Sequence, residues 1–408
     1  MSTWIRAPLL CFFAALASAG LAAAGSPTVI LLSLDGVRAD YPDRRPLPGF
    51  ARLMTQGARA EKLVPVFPPT TFPGHVSLAT GAPVDRHGIV GNEFRDRDRG
   101  RFRYVNDASW QEAEPIWVTA ERQGVTSALF FWVGSEGPWR GTSARRYEHP
   151  FDSEIPEAKK VDRILGWLDL SAEQRPHLIL CWWHGADRPG HRYGPDSAAV
   201  DGALAEQDAQ LVRLLEGLDA RDLWQDTTLV LVSDHGMAAV SEGIDLHEVL
   251  EEKGIASEVF PSGGIASIHL ADPAQREEAR AVLAGLPGVE VFASDALPAA
   301  WRYGPARRLG DLVATTTPPR VFRESTLARV AAGVGLMQGA HGYDPKRDDM
   351  GGIFLAMGRG VVKGTRRPAV SSIDVAPTVA RLLGIEAPRD AEGHALAALA
   401  PPAAEAKP

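Results

Sequence analysis

Five short runs of aliphatic and β-branched residues, at 29–34, 127–132, 177–183, 228–232 and 352–357, alternate with segments of helical periodicity, among them 157–168, 198–218 and 373–383. Such alternation specifies an α/β layered domain with a mostly parallel central sheet and helices on both faces. Sheets of this kind hold their ligands at the carboxyl ends of the strands. Here those ends are acidic. Leu34 runs into Asp35-Gly36, Val232-Ser233 into Asp234-His235-Gly236, and Trp183 through His184-Gly185-Ala186 to Asp187. Three aspartates are therefore expected at one edge of the sheet.

Between about 241 and 335 the alternation breaks. Glycine and proline interrupt it, and a small strand-helix-strand pattern at 265–270, 275–286 and 289–292 reads as an inserted α+β subdomain. The catalytic domain is expected to span 25–399, with the Ala- and Pro-rich 400–408 a disordered tail. Arg6, the apolar 9–16 and Ala22-Ala23-Ala24 have the form of a signal peptide over 1–24, too short and too diluted for a stable membrane span. The mature chain is thus expected to be exported, periplasmic or secreted. It would keep Cys181 as its single cysteine, so no internal disulfide is available.

A formal charge of −8 and the lack of a long Lys/Arg run leave no footprint for duplex nucleic acid or an anionic membrane surface. No feature calls for an obligatory protein partner. A small phosphate-bearing substrate remains compatible, because bound cations reverse the field locally.

Imidazole nitrogen and carboxylate oxygen are the donors that hydrolytic zinc sites use. Asp187 and His191 stand four apart across the Pro189-Gly190 turn, Asp234 and His235 are adjacent, and His341 lies between glycine-containing flanks in Gly339-Ala340-His341-Gly342. With Asp35 these make three aspartates and three histidines, enough for two metals with open positions. Each alone is also what a polar loop provides. Their number and placement carry the inference. Thr71, ahead of Pro73, is expected at a helix N-cap, where it is either a cap or, beside metals, a nucleophile. Asn92 is a candidate donor to a phosphoryl oxygen, as are backbone N–H groups near Phe72. Phe72 and Tyr147 are candidates for stacking on a flat leaving group or base.

Together, the segments Leu32-Ser33-Leu34-Asp35-Gly36, Thr71-Phe72-Pro73-Gly74-His75, His87-Gly88-Ile89-Val90-Gly91-Asn92, Ser233-Asp234-His235-Gly236-Met237 and Gly339-Ala340-His341-Gly342-Tyr343, with Asp187, Gly190 and His191, resemble the nucleotide pyrophosphatase/phosphodiesterase branch of the alkaline phosphatase superfamily. The resemblance runs through nearly the whole mature chain. It implies an alkaline-phosphatase-like fold and two Zn2+ ions, one bound by Asp187, His191 and His341, the other by Asp35, Asp234, His235 and the Thr71 oxygen. It further implies Thr71 as nucleophile, Asn92 on the phosphoryl group, and Phe72 and Tyr147 beside a nucleobase. The substrate would be a small phosphodiester or nucleotide, cleaved at a diester or pyrophosphate bond to release a nucleoside monophosphate.

Two departures from the family pattern, Gly74 in place of a common asparagine and Trp183-His184-Gly185-Ala186 in place of an acidic approach, are expected at the pocket wall. Phosphate monoesterases of the superfamily resemble this chain at the metals, but they add a Lys-x-Arg pair that Phe131-Trp132-Val133-Gly134-Ser135 lacks. Threonine rather than Cys-x-Pro-x-Arg at 71–75 disfavours a sulfatase. Phosphonoacetate hydrolases, lipid-headgroup phosphodiesterases and a metal-binding protein without catalysis remain the alternatives.

Overall fold

The computed structural model describes residues 26–148, 150–323 and 337–399. The expected leader at 1–24 and tail at 400–408 lie outside these residues.

The core is one sheet of eight strands, numbered here along the chain: β1 (Thr28–Leu34), β2 (Ala58–Ala60), β3 (Ser127–Phe130), β4 (Arg146–Glu148), β5 (Leu178–Trp183), β6 (Thr227–Val232), β7 (Phe354–Gly358) and β8 (Thr365–Arg367). Their spatial order is β8-β2-β7-β6-β1-β5-β3-β4. The β1 strand pairs in parallel with both β5 and β6, and β3 pairs in parallel with β5 and β4. Only β7 runs against its neighbours, β6 and β2. The mostly parallel character expected from the sequence is thus met, with the last long strand as the exception.

Alternation along β1 explains why both faces of the sheet are covered. Val29 and Leu31 point to one apolar cluster, built with the helices α2 (Thr71–Thr80), α3 (Ile116–Arg122) and α7 (Val375–Leu383). Ile30, Leu32 and Leu34 point to the other, built with α1 (Pro48–Gln56), α4 (Glu157–Leu168) and α6 (Ala198–Asp219). Every residue of β1 is buried. A strand dry on both sides fixes its own end tightly, and Asp35 is that end.

A second, antiparallel sheet comprises Ser257–Ser262, Ile265–Leu270, Leu312–Thr316 and Val289–Ala293, packed on the helices Leu246–Glu251 and Arg276–Ala284. Two of its strands escape the sequence pattern, because Pro261 lies inside Ser257–Ser262 and Leu312–Thr316 is short and ends in two threonines. Among the described residues no helix is long and apolar enough to cross a membrane. Cys181 is buried and free.

Two strand ends are held together by one close backbone approach. The Ala186 N–H donates to the Asp35 carbonyl at 2.9 Å, and Gly185, at φ +64°, lies so close that a Cβ there would sit 1.7 Å from that oxygen. Gly185→Ala is therefore expected to cost about 3 kcal/mol or more in chemical denaturation, because left-handed backbone strain and overpacking add. Gly124→Ala is the control, at φ +79° with nothing within 4 Å of a Cβ, and is expected to cost only about 1 kcal/mol. Equal losses in the two variants would contradict this account.

Candidate functional site

Three chain segments bring the expected aspartates to the carboxyl edge. Asp35 ends β1, Asp234 stands two residues past β6, and Asp187 opens the helix α5 (Asp187–Tyr193), which also carries His191 one turn later. His341 follows the short strand Gly339–Ala340, whose partner Ala238–Ala239 follows His235 and Gly236. Ligand atoms of Asp35, Asp234 and His235 lie within 4.8 Å of one another, and so do those of Asp187, His235 and His341. His235 belongs to both groups. Its ring stacks on that of His341 at 3.8 Å, and His191 Nε2 lies 3.3 Å from Asp187 Oδ1.

The hydrogen bonds around the histidines decide what these groups can hold. Each imidazole Nδ1 meets a backbone carbonyl: His191 meets Gly339 at 2.8 Å, His235 meets Gly236 at 2.9 Å, and His341 meets Pro69 at 3.0 Å. A carbonyl only accepts, so Nδ1 carries the proton and Nε2 of the neutral ring presents a lone pair. Those lone pairs face carboxylate oxygens, His235 Nε2 to Asp234 Oδ2 at 3.1 Å and His341 Nε2 to Asp187 Oδ1 at 3.7 Å. Asp35 Oδ1, Asp187 Oδ1 and Asp234 Oδ2 are buried and accept no hydrogen bond. Acceptors facing acceptors in a dry space call for cations between them. The residues present therefore fit metal ions.

Titration behaviour says the same. Burial, and then Asp234 and Asp187, push the Asp35 carboxyl well above the usual carboxylate range. Burial also opposes ionisation of Asp187, and only positive charge facing it, on protonated imidazoles of His191, His341 and His235 or on a cation beside the neutral rings, holds that carboxyl low. Burial, with His235 and His191, keeps His341 neutral, as a metal ligand must be.

Thr71 sits at the edge of this cluster, its Oγ1 3.4 Å from His235 Nε2. It is the first residue of α2 rather than the N-cap expected from the sequence. Thr70 takes the cap with extended backbone, and neither hydroxyl is engaged in capping. The one-residue shift leaves the Thr71 hydroxyl free to face the cluster. Beneath it, His75 is fully buried and ties three parts together, Nδ1 to the Thr71 carbonyl at 2.8 Å and to Asp234 Oδ2 at 3.4 Å, and Nε2 to Ser33 Oγ at 2.8 Å. Trp182 Nε1 donates to Asp35 Oδ2 at 3.1 Å. Nothing in residue spacing pointed to Ser33 or Trp182, although His75 lies one helical turn after Thr71.

A cavity of about 390 Å³ opens in front of the cluster, with Thr71, Asn92, Asp187, His191 and His341 in its wall. Asn92 Oδ1 accepts from the Phe72 N–H at 2.9 Å, which turns its amino group toward the cavity wall and the Tyr104 hydroxyl and occupies the N–H expected to serve a phosphoryl oxygen. Phe72 is itself buried, edge-on to Phe102 and Tyr104 at 5.4 and 5.8 Å. Tyr147 does not line the cavity. It stands on β4, three strands from β1, a distance of roughly 14 Å at sheet spacing. Tyr104 is the exposed aromatic at the wall, held at φ +48° after a hairpin that also delivers Arg103, and Arg323 reaches the cavity from the end of the short strand Arg320–Phe322, which pairs with Glu242–Ile244. These three escaped the sequence reading because no periodicity marks a cavity wall built from distant loops. The family departures are not at this wall either. Gly74 backs onto Asp234, 2.9 Å from its Cβ if a side chain were added, and His184 faces another cavity.

Residues 29–344 match the family model described as type I phosphodiesterase / nucleotide pyrophosphatase. The chain belongs to that family. As one of its phosphodiesterases and nucleotide pyrophosphatases, it is a hydrolase of phosphodiester or diphosphate bonds. It is 32% identical over 352 residues to an uncharacterized pyrophosphatase/phosphodiesterase of Schizosaccharomyces pombe, covering 81% of this chain and 71% of the relative. It is 29% identical to the bis(5'-adenosyl)-triphosphatase enpp4 of Xenopus laevis, with 88% and 78% covered. Murine ectonucleotide pyrophosphatase/phosphodiesterase 5 superposes with a TM-score of 0.81 at 27% identity, covering 88% of this chain and 96% of that one, and its alkaline-phosphatase-like fold is shared here. An inactive threonine-to-alanine variant of the murine protein, in complex with AMP, superposes equally well.

The two-sided engagement of Asn92 yields a separable expectation. Asn92→Asp keeps an acceptor for the Phe72 N–H but replaces the donor facing the cavity with a negative oxygen. Thermal stability should hold while inhibition by inorganic phosphate weakens at least about 10-fold. Unchanged phosphate inhibition would remove Asn92 from the anion site.

Proposed function

We propose that this chain hydrolyses phosphate diesters or pyrophosphate bonds of nucleotide-like substrates with two Zn2+ ions, through a covalent phosphothreonine on Thr71, releasing a nucleoside monophosphate. The observation that carries the reading is the placement of an uncapped Thr71 hydroxyl 3.4 Å from the bare Nε2 of His235, at the corner of both ligand groups.

Asp187, His191 and His341 would hold one ion, and Asp35, Asp234, His235 and the Thr71 oxygen the other. The imidazole and carboxylate donor set suits zinc. When bound, the ions neutralise phosphoryl charge and make an alkoxide and a hydroxide accessible near neutral pH.

The chain's own groups do the rest. The Thr71 oxygen forms the bond to phosphorus as the bond to the leaving oxygen breaks, and the leaving group departs with a proton as an alcohol or phosphate. Water then adds to phosphorus and restores the Thr71 hydroxyl. Asn92 donates to a non-bridging oxygen from a position fixed by Phe72. His75 holds the first turn of α2 by the Thr71 carbonyl, so the hydroxyl does not wander. Tyr104, rather than Tyr147, is placed to flank a base, with Phe72 supporting its ring from behind. The inactive threonine variant and bound AMP of the murine relative support both the nucleophile and the nucleotide side. Export to the periplasm or the exterior, suggested by the leader, fits the ectonucleotide relatives.

Arg103 and Arg323 bring positive charge to the cavity, yet Arg103 is paired with Glu93 at 3.2 Å, so the clasp that a monoesterase needs is partly neutralised. A diester reading stands.

Thr71→Ala should retain its zinc and lose at least roughly 10³-fold in turnover. His191→Ala should lose about half of the bound zinc, read by elemental analysis. A bis-nitrophenyl diester should be turned over at least about 10-fold more efficiently than the nitrophenyl monoester, and only before chelation. Full activity in the Thr71 variant, or a monoester preference, would overturn the reading.

A further inference from the structure

A second cavity, of about 580 Å³, borders the metal-site carboxylates Asp35 and Asp187. Asp187 lines both cavities, and Asp35 lines this one. The space therefore adjoins the reacting centre at Asp187, while Thr71 and Asn92 line the first cavity and not this one.

One wall is a face of α6, where Ala203, Glu206, Gln207 and Gln210 recur at helical spacing. Gln207 is only 5% exposed, and its carbonyl oxygen accepts no hydrogen bond. The Gln210 carbonyl oxygen is buried without a partner as well. A buried amide in this state is costly unless a ligand or water completes it. The facing wall is aromatic: Trp182 and His184, ring centroids 5.1 Å apart, with Phe151 against both at 5.2 and 5.9 Å.

The charge of the walls selects among ligands. Apart from the two metal-site aspartates, the ionised side chains facing the space are Glu157, Glu206 and Arg188, a net negative set. Glu157 is already engaged, accepting from the His184 N–H at 3.2 Å with Lys160 Nζ 3.8 Å away. What stays open are acceptors, on Gln207, Gln210 and Glu206. Acceptors with negative charge repel a pyrophosphate and suit a group that donates hydrogen bonds.

We infer that this cavity receives the leaving group of the diester and selects an organic alcohol carrying an amino or ammonium donor over a phosphate-terminated one. The inference rests on the metal-centre reading above and narrows its substrate class. It also gives a role to His184, which replaces the acidic approach usual in the family: its ring builds the aromatic wall.

The test holds the nucleotide side constant and changes only the leaving alcohol, comparing kcat/KM for the 2-aminoethyl and propyl esters of AMP with the zinc-loaded protein. Because the two alcohols differ in intrinsic reactivity, the readout is the change in their ratio between wild type and variants. The ratio should fall about 10-fold in Gln207→Leu and in Gln210→Leu, the effect of one lost hydrogen bond to a charged donor. Gln210 lies less deeply than Gln207, so its variant keeps the test informative if Gln207→Leu unfolds; thermal melts identify that case. ATP, whose leaving group is pyrophosphate, should gain or hold relative to the aminoethyl ester in Glu206→Gln. Ratios unchanged in both glutamine variants would overturn the inference while leaving the diesterase reading intact. No turnover of either ester by the wild type would instead sink the diesterase reading.

Discussion

Uncompensated negative charge at the ends of three parallel strands is the constraint around which the rest of this molecule is arranged. Asp35, Asp187 and Asp234 each keep a buried oxygen that no hydrogen bond satisfies. A folded chain tolerates that only if cations complete it or if protons neutralise it, and burial beside Asp234 and Asp187 raises the Asp35 carboxyl accordingly. Cations bound there would couple metal binding to folding, their binding energy offsetting a cost built into the sheet edge.

That cost is imposed by features that look purely structural. β1 is buried along its full length between two layers of helices, so Asp35 cannot retreat. Gly185 lets the loop after β5 close onto the Asp35 carbonyl, and the three histidines are locked by carbonyls of Gly339, Gly236 and Pro69. The backbone thus sets tautomer and ring direction before any ion arrives. Preorganisation of this kind is what lets the Thr71 hydroxyl stay uncapped, since α2 is anchored through His75 and not through a side-chain cap.

The legible part of this architecture was the part that periodicity and strand ends encode. The alternation of apolar runs reveals the parallel sheet, and aspartates directly after such runs reveal its active edge. Of the six ligand candidates scattered from Asp35 to His341, five fall into two groups that share His235, and His191 stands beside Asp187 at 3.3 Å. What escaped falls into two physical classes. Boundaries slipped by a residue, as at Thr70 and Thr71, because Pro73 is tolerated anywhere in a first helical turn. Cavity walls were invisible because they come from loops far apart in the chain, so Tyr104 and Arg323 were missed and Tyr147, on an outlying strand, was included. Gly74 and His184 were noticed for the right reason, being departures from a pattern, and assigned to the wrong wall.

Asp187 is the residue at which these threads join. It pairs with His191 and His341, opens α5, and forms a partition between a cavity carrying Thr71 and Asn92 and a cavity carrying the unpartnered amides of α6. A phosphoryl group held at such a partition has its two substituents in different surroundings. One side offers arginines and an exposed tyrosine, the other acceptors and an aromatic wall. In-line displacement needs its entering and leaving oxygens on opposite sides of phosphorus, and under the leaving-group inference the two unlike cavities that share Asp187 would supply that separation without any moving part. Specificity for the retained and the departing halves of a substrate would then change independently, with His184 altered on one side while the ligand candidates at the strand ends stay the same.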